Sequence, residues 1–116
     1  MCMFTLSPHA STAETTRRSR LHIAPRDLVE RFGLPLPGSG DRKISGSYTF
    51  TDLRGDVITM YDWKATALYD GRSEADLPTV KTFWASKEPA EFCVAARGTV
   101  DIRAFARWLE ANVAWT

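Results

Sequence analysis

Polar and hydrophobic positions alternate over residues 46 to 64, and this stretch predicts a β-hairpin around which the other elements are arranged. On its first strand Gly46, Tyr48 and Phe50 interleave with Ser45, Ser47, Thr49 and Thr51, which gives one apolar face and one hydroxyl-bearing face. Leu53, Arg54 and Gly55 suit a short loop whose last member needs a positive φ, the conformation that glycine adopts without a Cβ penalty. With Asp52 facing Asp56, Phe50 pairs with Ile58, Tyr48 with Met60 and Gly46 with Asp62 on the apolar face. On the other face Thr49 meets Thr59, Ser47 meets Tyr61 and Ser45 meets Trp63. A slip of one residue would exchange the faces, so the turn carries the register.

The flanking patterns supply the remaining elements. Pro25 opens a short helix at its favoured first position, Asp27 complements the dipole in the first turn, and Gly33 closes the element. Its stripe of Leu28, Val29 and Phe32 must dock on the sheet, because two turns are too short to stand alone. Leu34 to Gly40 is a breaker-rich loop whose Leu-Pro-Leu-Pro start either straps across a core edge or presents apolar side chains to a partner. Ala65 to Tyr69 prolongs the second strand past a bulge or begins a connection, and Asp70 to Pro78 is a polar loop. Val80 to Ala85 reads as a third strand with Trp84 in parity with Val80, and Glu91 to Ala96 as a fourth with Phe92 and Val94 facing one way. Beyond Gly98, with Thr99 or Asp101 as cap, Ile102, Phe105, Trp108, Leu109 and Val113 form a stripe at helical spacing. Arg103, Arg107 and Glu110 make the outer face of that helix, a solvated face in the simpler reading and an Arg-lined docking surface in the sharper one.

The predicted fold is α+β and two-layered: a hairpin-based, four-stranded antiparallel sheet packed by the C-terminal helix, with a short N-terminal helix. Residues 1 to 20, rich in Ser, Thr and Ala and ending in Arg17, Arg18 and Arg20, lack periodicity and read as a flexible basic tail. Residues 21 to 116 form a single domain. So few helices leave one sheet face open, and the hydroxyl-aromatic row of the hairpin is the candidate for it.

Composition narrows the function classes only a little. The 15 basic and 14 acidic residues balance, so global charge calls for no polyanionic partner, although residues 1 to 43 hold seven Arg and Lys against four Asp and Glu. Cys2 and Cys93 have no metal-like or disulfide-like spacing, and neither His9 nor His22 sits in a ligand pattern, so no metal is expected. The opening residues lack a positively charged stretch and a long apolar run, and no segment is apolar enough for a membrane helix. A reduced, cytoplasmic, non-secreted setting without membrane association is the expectation.

Asp62, Trp63 and Lys64 place a carboxylate beside an ammonium, with space over Gly46 for a ligand or a water. The simpler reading of that pair is an ion pair or strand-end solvation. No nucleophile elbow and no Gly-rich loop between strand and helix is present, so no catalytic residue and no cofactor are assigned. Tyr61, Trp63 and Trp84 could stack on unpaired bases while Arg17, Arg18 and Arg20 hold phosphate, but Asp52, Asp56 and Asp62 put negative charge on the same hairpin.

The run GDVITMYDWK, followed by Phe83-Trp84-Ala85-Ser86, Glu91-Phe92-Cys93-Val94 and Phe105-Ala-Arg-Trp108-Leu109, resembles a pattern in small proteins of phages and prophages. The resemblance covers roughly residues 44 to 110 and implies an accessory protein of a mobile element, acting in a bacterial cytoplasm, that binds a host protein or sequesters a small molecule; it carries no activity or residue role. The expectation is a non-enzymatic binding module with Tyr61, Asp62, Trp63, Lys64 and Trp84 as its working surface. The alternatives are a single-stranded nucleic-acid binder using the basic tail and a small enzyme of unspecified reaction. A strand edge with an apolar patch would also allow a homodimer.

Overall fold

The computed structural model describes residues 3–38, 43–63, 65–66 and 78–113. Lys64, Cys2, most of the 65–69 segment and nearly all of the 70–78 loop therefore lie outside the described residues. In chain order the elements are β1 (Phe4–Leu6), β2 (Thr16–Ile23), α1 (Pro25–Phe32), β3 (Leu36–Pro37), β4 (Gly46–Asp52), β5 (Val57–Tyr61), α2 (Val80–Trp84), β6 (Ala90–Ala96) and α3 (Ile102–Val113). The fold is α+β, an open antiparallel six-stranded sheet with three helices among the described residues.

The hairpin founds the sheet in the expected register. Ser47 pairs with Tyr61, Tyr48 with Met60, Thr49 with Thr59 and Phe50 with Ile58. Gly55 sits at φ 84°, its amide donates to Asp52 O at 3.0 Å, and the Asp52 carboxylate accepts from the amides of Arg54 and Asp56, each at 2.9 Å. An aspartate that satisfies two turn amides is what fixes this loop. From the hairpin the sheet extends in the order β1-β4-β5-β6-β2, and β3 pairs with β4 alongside β1 on the same edge.

Three expectations are corrected. Residues 4–6 and 16–20, read as tail, are strand residues paired with β4 and β6. A bulge between Arg17 and Ser19 breaks the alternation of β2, and its mostly exposed side chains hide the strand from hydrophobic patterning. The four-stranded sheet is six-stranded. Val80 to Trp84 is a helix rather than a strand: Thr79 accepts a hydrogen bond from the Thr82 amide at 3.1 Å as its N-cap. Val80 and Trp84 are four residues apart, a spacing that satisfies both strand parity and a helical turn.

All three helices contribute to one face of the sheet. Phe50, Ile58, Met60, Phe92 and Val94 from the strands pack with Leu28, Phe83, Phe105 and Leu109 from the helices, every one of them buried. Asp101 caps α3 by accepting from the Ala104 amide at 3.0 Å, and Phe105 meets Phe4 edge-on with ring centroids 5.2 Å apart. Arg103, Arg107 and Glu110 are exposed on the far side.

The opposite sheet face is not left bare. Ser7 donates its amide to Thr49 O at 2.7 Å and exchanges a hydroxyl hydrogen bond with Thr51 at 2.9 Å, while Arg97 reaches Ala13 O. Thr12 and Thr15 face Ser47, Thr59 and Tyr61 across a cavity of about 240 Å³. The N-terminal segment thus covers part of the hydroxyl row, in which Thr49 and Thr59 are buried and bonded to each other at 3.2 Å.

Candidate functional site

The expected hairpin residues separate into two groups. Asp62 is fully buried at the end of the core face, where its carboxylate accepts from the Ser45 amide (2.8 Å), the Gly46 amide (3.0 Å) and the Ser45 hydroxyl (2.7 Å). Strand-end solvation does not describe it, because the side chain is buried and closes the start of β4; its expected ion-pair partner Lys64 lies outside the described residues. The space expected over Gly46 is filled by Trp84. A Cβ at Gly46 would lie 2.7 Å from Trp84 Cζ2 and 2.8 Å from Pro35 Cγ, so only glycine admits both rings. Trp84 is buried, and its indole Nε1 donates to Ser45 Oγ at 3.0 Å.

Tyr61 and Trp63 belong to the other face. Their rings meet edge-on at 6.3 Å, Tyr61 is half-buried, and Trp63 is 42% exposed with the Lys43 ammonium 5.7 Å from its ring. Burial pushes the Tyr61 hydroxyl up, the neighbouring Cys93 adds to this and Arg17 opposes it. Arg17 and Arg20 are thereby placed on the sheet face that carries Tyr61, as partners of Ala95 and Cys93 in β6. Arg20 lies 3.4 Å from Glu91, and Arg18 donates to Gly98 O at 2.7 Å. These arginines are strand residues whose side chains are partly engaged, unlike a free phosphate-gripping arm.

A large concavity lies where the first group ends. A groove of about 630 Å³ runs between α1, the β3 strap and α2. Val29, Leu34, Pro35, Pro37, Val80 and Trp84 give it apolar walls; Ser45 lies at its floor; and Arg26, Glu30 and Lys81 rim it. Sequence patterning missed it because its walls come from three segments, one of them read as a strand and one as a loop. The Leu-Pro-Leu-Pro stretch straps the sheet edge, Leu36 and Pro37 pairing with Ser47 and Gly46, while Leu34 stands 83% exposed at the groove.

The groove walls are braced from below. The Arg26 amide donates to Ser86 O at 3.0 Å, and Lys87 bridges to Glu30 at 2.9 Å and Asp27 at 3.5 Å, which ties α1 to the turn after α2. The Lys87 ammonium holds the Glu30 carboxyl below its ordinary range and is itself raised by that partner. Tyr48 donates to Gly33 O at 2.6 Å, and burial raises its hydroxyl far above the usual phenol range.

No cluster of His, Cys, Asp and Glu suited to a metal occurs among the described residues, and no described helix is long and apolar enough to cross a membrane. A scan against models of known protein families finds no match, and a search of curated proteins finds none either.

Proposed function

We propose that this protein is a non-enzymatic binding module that sequesters a small apolar molecule in the groove between α1, the β3 strap and α2. The observation that carries the reading is the groove itself, about 630 Å³ with mainly apolar walls and a buried tryptophan at its base. Concavities of this size and character are the usual sites of small ligands. The hairpin contributes by construction: Asp62 fixes Ser45, Ser45 anchors Trp84, and Gly46 lets Trp84 and Pro35 approach. The accessory-protein role in a mobile element, implied by the hairpin resemblance, is part of the same proposal.

The test is a titration of the ¹⁵N-labelled protein with 1-octanol, octanoate and octylammonium. At least one of these probes shifts Val29, Ser45, Val80 and the Trp84 indole signal saturably; no saturable shift at the groove with any of them rejects the reading.

A second reading is favoured by the proximity of Arg17 to Tyr61 on the face that also bears Trp63: single-stranded nucleic acid stacking on the two rings. Fluorescence anisotropy with labelled oligo(dT) tests it, with binding that Trp63→Ala weakens as the expected outcome and no salt-dependent binding as the refutation.

A further inference from the structure

We infer that the groove selects an apolar monoanion, a compound with a hydrocarbon or aryl body and one carboxylate-like end, with Lys81 as the cation that receives that end. The inference rests on the proposed role of the groove as a ligand site and adds the chemical class of the ligand.

The floor sets the first requirement. Ser45 spends its one hydroxyl proton on Asp62 and accepts from Trp84, the indole N–H is thereby used, and Asp62 is filled by three donors. Among the described residues no buried side-chain nitrogen or oxygen lacks a partner. A polar group pushed to this depth would lose its hydration without finding a donor, so the inserted end of the ligand is apolar.

The rim sets the second requirement. Arg26 and Glu30 answer each other at 3.4 Å, and Glu30 is further compensated by Lys87 at 2.9 Å. Lys81, exposed on α2, makes no ion pair with any described residue. Among the described residues the groove mouth therefore presents one positive charge without a carboxylate partner, beside an apolar wall. An anion at the end of an apolar body meets both surfaces at once, a neutral alcohol meets only the wall, and an ammonium is repelled.

The experiment measures dissociation constants of octanoate, 1-octanol and octylammonium by the same NMR titration, for the wild type and for Lys81→Met, which keeps the aliphatic stem and removes the charge. Octanoate is expected to bind about fivefold tighter than octanol, as suits one solvent-facing ion pair. In Lys81→Met that advantage is expected to vanish while octanol affinity is unchanged. Equal binding of octanoate and octanol by the wild type, or an octanoate advantage that survives Lys81→Met, overturns the inference and leaves the groove reading standing. Absence of groove shifts with all three probes overturns both.

Discussion

The indole nitrogen of Trp84 donates to the hydroxyl of Ser45 across 3.0 Å, and that hydroxyl passes its own proton to the buried Asp62. A short helix, the start of β4 and the end of β5 are joined through one serine oxygen. The chain Asp62, Ser45, Trp84 is what converts a hairpin into the floor of a groove.

Removing the carboxylate should therefore cost more than a surface substitution. Asp62→Ala leaves two backbone amides and the Ser45 hydroxyl without their acceptor, and each orphaned buried donor costs about 1–3 kcal/mol. Urea unfolding of Asp62→Ala is expected to show a loss of at least about 3 kcal/mol. A loss within about 0.5 kcal/mol, typical of surface positions, would show that the contacts do not hold the strand start.

Gly46→Ala tests the close approach of the two rings. Its new methyl would overlap Trp84 and Pro35, so the rings must separate, with a cost of about 1–3 kcal/mol for overpacking. The near-ultraviolet circular dichroism of tryptophan should change along with stability. Unchanged spectra and stability would contradict the packing described for the groove base.

The exposed aromatic pair should behave otherwise. Trp63 is exposed and lies outside the main core, so Trp63→Ala is expected to cost no more than about 1.5 kcal/mol, the worth of an edge-on ring pair. Phe105→Ala empties a fully buried ring position and should cost about 3–5 kcal/mol. Denaturation of both variants side by side separates surface from core; equal costs would contradict the assignment.

The brace between α1 and the turn after α2 gives a pH signature. Glu30 is held below its ordinary value of 4.5 by Lys87, so its stabilising contribution is present above pH 4.5 and disappears as pH falls through the lowered folded value. Lys87 is raised above 10.5, so its contribution is complete below pH 10.5 and is lost as pH rises through the raised value. Both groups are exposed, so the effect is small and screened by salt. NMR titration of the Glu30 side-chain carbonyl should give a higher midpoint in Lys87→Met than in the wild type; identical midpoints would rule out the bridge.

The parts of the fold legible in the sequence are those with a strong local rule. The turn at Gly55 set the hairpin register through one positive-φ residue, and the stripe from Ile102 to Val113 marked α3. Pro25 and Gly33 bounded α1. What escaped was fixed by tertiary context. β2 is an edge strand, polar and bulged, that gains its order from β6; α2 is a single capped turn whose apolar spacing fits two periods. Of the expected site residues, Asp62 and Trp84 were singled out for chemistry or recognition with space above Gly46, yet both are buried, because Trp84 and Pro35, far away in pattern though near in space, close over Gly46. Tyr61 and Trp63 do lie together on the hydroxyl-bearing face, which the N-terminal segment partly covers.

The most direct measurement of the central claim is the shift of the Trp84 indole Nε1–H signal during titration with octanoate. If the groove is the working surface, this signal moves along a single saturable isotherm together with the amides of Val29 and Val80, while the Trp63 indole stays still. A Trp84 signal that stays still with octanoate, 1-octanol and octylammonium alike, or saturable movement of Tyr61 and Trp63 in its place, would contradict the groove and return the function to the hairpin face.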